Sequence, residues 1–453
     1  MAINPPIILT AAFAGWLAST AGSAAAPPAT GDPLAGIGHI VVVFEENRSF
    51  DNMFGHFPGA DSLDNAAATP LQVDAEGHVY AKLPPVMDTT LKPLAVDPRF
   101  PADLPNAPFA IDDYVPADEA TGDLVHRFYQ EQAQIDGGRM DKFAVISDAG
   151  GLVMGYYDLS DTAHWRLAKE FALGDRMFHS AFGGSMLNHT FLVCSCAFEW
   201  PNAPETVVSK LDADGRMLKD GAVSPDGYVI NTARSVFLHA PGDSDTARLV
   251  PPQTMPHIGD RLDSKGVSWG WYAGGYDDAL AGHPDPKFQF HHQPLAYFQD
   301  LAPGTPAQKA HLKDLQDLYR DIDAGTLPQV VFYKPIGEWN LHPGYATVTD
   351  GDAHLAELVA RLQKGPQYAD MLILVTPDEN GGFWDHVPPP RRDAWGPGTR
   401  IPLIAIGPTV KRGFVDHTPY DFGSILKTIE ERFNVAPLAD ADGKATSMRN
   451  LLK

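Results

Sequence analysis

Met371-Leu372-Ile373-Leu374-Val375-Thr376-Pro377-Asp378-Glu379-Asn380-Gly381-Gly382-Phe383-Trp384-Asp385-His386 decides how this chain is read. An apolar strand runs straight into two carboxylates and a glycine pair. In parallel α/β sheets ligands bind outside the carboxyl ends of the strands, so acidic side chains placed there face a crevice and not a core. The stretch His39-Ile40-Val41-Val42-Val43-Phe44-Glu45-Glu46-Asn47-Arg48-Ser49-Phe50-Asp51 has the same form. Two such strand ends, more than three hundred residues apart, predict one shared oxygen-rich metal site. Carboxylate and amide oxygens are hard ligands that suit magnesium, calcium or manganese, and zinc also accepts carboxylate.

Further apolar runs bounded by turn residues predict strands near 173–179, 267–273, 328–334 and 402–407, beside those at 39–45 and 370–376. Helices fit 307–324, 352–364 and 422–433, with Leu355, Leu358, Val359 and Leu362 forming one stripe. The alternation predicts an α/β fold, a doubly wound, mostly parallel sheet with helices on both faces. A single domain is expected over 33–440, with insertions near 65–117 and 200–260. Residues 72–80 and 211–218 read as hairpins, the latter turning at Asp212-Ala213-Asp214-Gly215, and the proline-rich stretch 83–116 reads as a surface excursion.

The net charge of −23 is spread along the chain without a basic tract, which argues against a partner that is nucleic acid. An anionic substrate would then need a locally positive site, which a bound cation can supply. Residues 1–26 carry a short apolar run followed by small residues, the pattern of a secretory signal, although no Lys or Arg precedes the run. A periplasmic or secreted protein without a transmembrane anchor is expected. Cys194 and Cys196, the two cysteines, read as small buried residues, because a bridge across one intervening residue in a strand would be strained.

Between the acidic strand ends lies Phe178-His179-Ser180-Ala181-Phe182-Gly183-Gly184-Ser185-Met186-Leu187-Asn188-His189. A serine after two glycines, heading an apolar segment, can open a helix whose free amides favour a developing phosphate charge. His126, His291, His292 and His342 complete the candidates. If they converge, they can bind phosphoryl oxygens and protonate a leaving group, and an ordinary pKa of about 6.5 would leave them charged in mildly acidic surroundings. Arg48 and Asp51 read as supports of the loop bearing Glu46 and Asn47, while Asp385 and His386 read either as a capped turn or as partners orienting Glu379.

In this order, Glu46-Asn47-Arg48-Ser49-Phe50-Asp51, Gly183-Gly184-Ser185-x-x-Asn188 and Asp378-Glu379-Asn380-Gly381-Gly382-Phe383-Trp384-Asp385-His386 resemble the bacterial phosphoesterase family of acid phosphatases and phospholipases C. The resemblance spans about 36 to 435. It implies an alkaline-phosphatase-like core, Ser185 as a metal-bound nucleophile, a divalent ion on Glu46, Asn47, Ser185, Asp378 and Glu379, and His126, His291, His292 and His342 around the phosphate. The phospholipase branch has Thr-Gly-Pro-Thr-x-Pro-Asn-Arg at its nucleophile. This chain departs from it, which points to an acid phosphatase acting on small phosphorylated substrates through a phosphoserine. The alternatives are a phospholipase C cleaving phosphatidylcholine-type diesters, favoured if Phe182, Met186 and the proline-rich stretch form an apolar rim, and a non-catalytic surface binding protein.

Overall fold

A computed structural model describes residues 31–243 and 245–453. The secretory signal read over 1–26 lies outside them. Eight strands form one sheet: β1 (His39–Glu45), β2 (Ala172–Phe178), β3 (Trp269–Ala273), β4 (Leu312–Asp314), β5 (Val330–Lys334), β6 (Met371–Pro377), β7 (Arg400–Ile406) and β8 (Phe414–Asp416). Their order is β4-β3-β5-β1-β6-β7-β2-β8. Only β7 runs against its neighbours β6 and β2. Every residue of β5, β6 and β7 is buried, so both faces of the sheet are covered, as the continuous apolar runs require. The doubly wound, mostly parallel α/β sheet read from the sequence is therefore present.

The helices around the sheet include α1 (Phe50–Phe54), α2 (Phe128–Ile135), α3 (Ala163–Glu170), α4 (Ser185–Cys194), α5 (Leu315–Ala324), α6 (Val348–Lys364) and α7 (Phe422–Phe433). The helix expected over 307–324 is broken. Pro306–His311 forms a short helix, Leu312–Asp314 joins the sheet edge as β4, and Asp314 then caps α5 through its side chain. Edge pairing with Trp271 to Ala273 wins over helical continuity there.

Two other expectations fail. The stretch 83–116 is not a surface excursion, since Leu83, Val86, Phe100, Leu104, Phe109, Ile111 and Val115 are all buried in the main core. Cys194 and Cys196 form a disulfide, with Cα atoms 5.1 Å apart. They do not lie in a strand. Cys194 ends α4 and Ser195 takes a left-handed conformation (φ 51°), which turns the chain back far enough for the sulfurs to meet. The two hairpins are smaller features: Lys210–Leu211 pairs with Met217–Lys219, and the 72–80 turn is closed by one bridge between Val73 and Val79.

Candidate active site

Strands β5, β1 and β6 are adjacent and parallel, so their carboxyl ends share one edge of the sheet. Glu46 and Asn47 follow β1, Asp378 and Glu379 follow β6, and Lys334 ends β5. All five are buried. Asn47 has a left-handed backbone (φ 57°) and its amide N–H donates to Asp378 Oδ1 at 3.2 Å, which ties the two acidic loops together. Gly381, at φ 63°, lies so close to the Asn47 carbonyl that a Cβ would collide with it. The glycine pair after the carboxylates thus lets the two loops meet.

Ser185 opens α4 at the same edge. Its cap residue, Gly184, offers no side chain to the first-turn amides, which leaves them free for an anion. The hydroxyl donates to Glu46 Oε2 at 3.4 Å. The loop before it is held from within the helix: Asn188 Oδ1 accepts from the Ala181 amide at 3.0 Å, and Asn188 Nδ2 donates to the carbonyls of Ala181, Gly183 and Gly184 at 3.0, 3.3 and 3.3 Å. Glu131 on α2 accepts from the Gly183 amide at 2.5 Å and pairs with His179 Nε2 at 2.9 Å.

The sequence-predicted histidines converge here. His292 Nε2 lies 2.7 Å from Glu46 Oε1, and His342 Nε2 lies 4.0 Å from Glu46 Oε2. The rings of His291 and His292 are 4.8 Å apart, those of His126 and His342 5.6 Å. His126 and His342 each donate Nδ1–H to a main-chain carbonyl, of Leu124 and Pro343, both at 2.5 Å. That bond turns each Nε2 inward. His126 Nε2 meets the Asn47 amide nitrogen at 3.3 Å, which aims Asn47 Oδ1 away from it.

Burial pushes His291 well below the ordinary histidine range, and it lowers His292 and His342 too, against the opposing pull of Glu46 on each. The expectation that these three side chains keep an ordinary pKa is therefore corrected: burial makes them hold a proton less readily than a free imidazole.

The carboxylates respond to one another. Burial raises Glu46, yet Lys334 and His292 outweigh it and hold Glu46 well below the usual carboxylate range. Burial and then repulsion from Glu46 push Asp378 up to about 7. Burial and Asp378 push Glu379 well above its usual range. Three carboxylates facing one lysine are short of positive charge. Asn47 Oδ1 and Glu379 Oε1 are buried and receive no hydrogen bond from any described residue. Acceptor-only atoms left in this way fit a divalent cation.

Three further groups stand at the site and were given no role in the sequence reading. Lys334 ends an apolar strand in a charge, the same signal that picked out Glu46 and Asp378. His189 lies four residues after Ser185 on α4, hence on the same helix face. Asn188 is marked only by the motif. Of the supporting pairs, Asp385 and His386 do not orient Glu379. Arg400 donates to Asp385 and Asp51, both at 2.9 Å, and His386 Nδ1 bonds Asp51 at 2.8 Å, so this buried cluster locks α1 to the β6–β7 loop. Arg48 supports its loop by donating to the Leu341 carbonyl at 3.0 Å. Met186 is buried and forms no rim, whereas Phe182 is half-buried and lines a cavity of about 330 Å³ with Ile135, Pro389 and Pro390.

Carboxylates, a serine at a helix N-terminus and inward-facing imidazoles thus meet at the ends of parallel strands. The model of the Phosphoesterase family matches residues 37–436, and the chain belongs to that family. Among curated relatives, the non-hemolytic phospholipase C of Pseudomonas aeruginosa is 24% identical over 89% of this chain and 54% of its own. The non-hemolytic phospholipase C of Burkholderia pseudomallei is 26% identical over 92% of this chain and 60% of its own. The chain thus spans little more than half the length of these relatives. A solved protein in the alkaline phosphatase superfamily from Vibrio parahaemolyticus aligns over 64% of each chain at 12% identity, with a TM-score of 0.35.

Proposed function

We propose that the protein hydrolyses phosphate monoesters through a phosphoserine at Ser185, as an exported acid phosphatase. The observation that carries this is the Ser185 hydroxyl at the open end of α4, 3.4 Å from Glu46 and faced by imidazole Nε2 atoms. A divalent ion held by Glu46, Asn47, Asp378 and Glu379 would stabilise the serine alkoxide and screen the incoming phosphate.

The chain's own groups do the rest. The first-turn amides of α4 receive phosphoryl oxygens as charge builds. His292 is almost fully buried, whereas the side chains of His126 and His342 are 18% and 10% exposed and stand nearer the mouth of the site. This mouth pair is placed to protonate the departing alcohol, and, with its Nδ1–H already committed, each ring needs a second proton to do so. A monoester dianion, with three terminal oxygens, brings the charge that induces such uptake. Because burial lowers His342 despite the acidic groups near it, kcat/KM should rise as pH falls through a value below the ordinary histidine pKa of about 6.5.

The second reading is a phospholipase C. It is favoured by the names of the relatives and by the cavity beside Phe182, whose wall combines Phe182, Ile135, Pro389 and Pro390 with Arg391 and Arg392. Hydrolysis of p-nitrophenyl phosphate and p-nitrophenyl phosphorylcholine, from acidic to alkaline pH and with and without chelator, separates the two. Ser185-dependent turnover of the monoester alone, strongest in acid, supports the phosphatase. Preference for the diester moves the assignment to the phospholipase, and inactivity on both leaves the binding protein.

A further inference from the structure

Lys334 is the least expected member of the centre. Its side chain is fully buried, and Nζ lies 2.6 Å from Glu46 Oε1 and 3.2 Å from Asp378 Oδ2. Nζ also donates to the Glu45 carbonyl at 2.9 Å. The ammonium thus donates to Asp378 and to the Glu45 carbonyl and stands in ion-pair contact with Glu46, so it touches carboxylates from two different strand ends.

Nitrogen donors stand behind it. His189 Nε2 is 3.4 Å from Asp378 Oδ2 and 4.0 Å from Glu46 Oε1, and His292 Nε2 is 2.7 Å from Glu46 Oε1. His189 is fully buried, and neither of its ring nitrogens has a hydrogen-bond partner among the described residues. Glu46, Asp378, His189 and His292 together make the two-nitrogen, two-oxygen set that a zinc-like ion takes, with a lysine ammonium bridging its carboxylates.

We propose that Lys334 occupies the position of a second cation: it is a positioning residue that fixes Glu46 and Asp378, so that the centre takes one divalent ion and not two. The inference rests on the metal centre proposed above. Charge balance supports it. Glu46, Asp378 and Glu379 carry three negative charges when ionised, and one lysine with one divalent ion cancels them. A second ion beside the lysine would leave two positive charges uncompensated in a buried site, which is costly.

The test is a count of zinc ions retained per chain after chelation, reloading with zinc alone and desalting. Wild type should keep one ion at this centre. Lys334→Ala should keep one more than wild type, and Lys334→Ala combined with His189→Ala should lose that extra ion. Equal retention by wild type and Lys334→Ala, or a second wild-type ion that disappears in His189→Ala, overturns the role of Lys334 and leaves the single-metal reading intact. Retention of no ion by any of them overturns the metal centre and this inference with it. Should Lys334→Ala not fold, Lys334→Gln, which can still donate to the Glu45 carbonyl, takes the same test.

Discussion

Asn188→Ala tests whether the nucleophile loop is held from inside its own helix. The substitution deletes the acceptor of the Ala181 amide and the donor to three carbonyls between 3.0 and 3.3 Å. The 3.0 Å bond to the Ala181 carbonyl contributes about 1 kcal/mol, and leaving the buried Ala181 N–H without a partner costs about 1–3 kcal/mol, so a loss of about 2–4 kcal/mol is expected in urea unfolding. A displacement of Ser185 by about 1 Å should also lower kcat by roughly 10²-fold. Asn188→Asp retains an acceptor for Ala181 but sets an oxygen against the carbonyls, and should rescue neither quantity. Steady-state kinetics on p-nitrophenyl phosphate beside urea melts give both numbers. Wild-type kcat in a destabilised Asn188→Ala would refute the argument, because the loop would then keep its place without the side chain.

Arg400→Met should destabilise the fold by about 3–5 kcal/mol, since it strands the buried Asp51 and Asp385 carboxylates; a change under about 1 kcal/mol in chemical denaturation would show that the cluster is not held by the arginine. Glu430, on α7, has its pKa raised to about 9, first by burial and then by the neighbouring Asp442. A folded-state value above the unfolded one means that its contribution is full below about pH 4.3 and is lost as pH rises through the folded value. Glu430→Gln should therefore gain on wild type between about pH 5 and about 8 in unfolding free energy, and parallel curves would contradict the assignment.

The central strands were legible because each is a run of apolar residues that ends at a charge or a turn. The edge strands were not, since β4 and β8 span three residues each and take their form from a neighbour. Among site residues, Glu46, Asn47, Asp378 and Glu379 could be grouped because strand ends of a parallel sheet share an edge. Lys334 carried the same signal and went unread, because a lone lysine after an apolar strand resembles an exposed stop. His189 and Asn188 sit in a buried helix where every residue is covered, so no polar face marks them out. The Cys194–Cys196 bridge depends on the left-handed Ser195, a conformation that nothing in the local sequence demands.

The most direct measurement is peptide mass analysis after acid quench of the enzyme turning over p-nitrophenyl phosphate. A phosphate on the peptide bearing Ser185, absent from Ser185→Ala along with turnover, is the predicted result. A phosphate found on a histidine instead, or undiminished hydrolysis by Ser185→Ala, would contradict it.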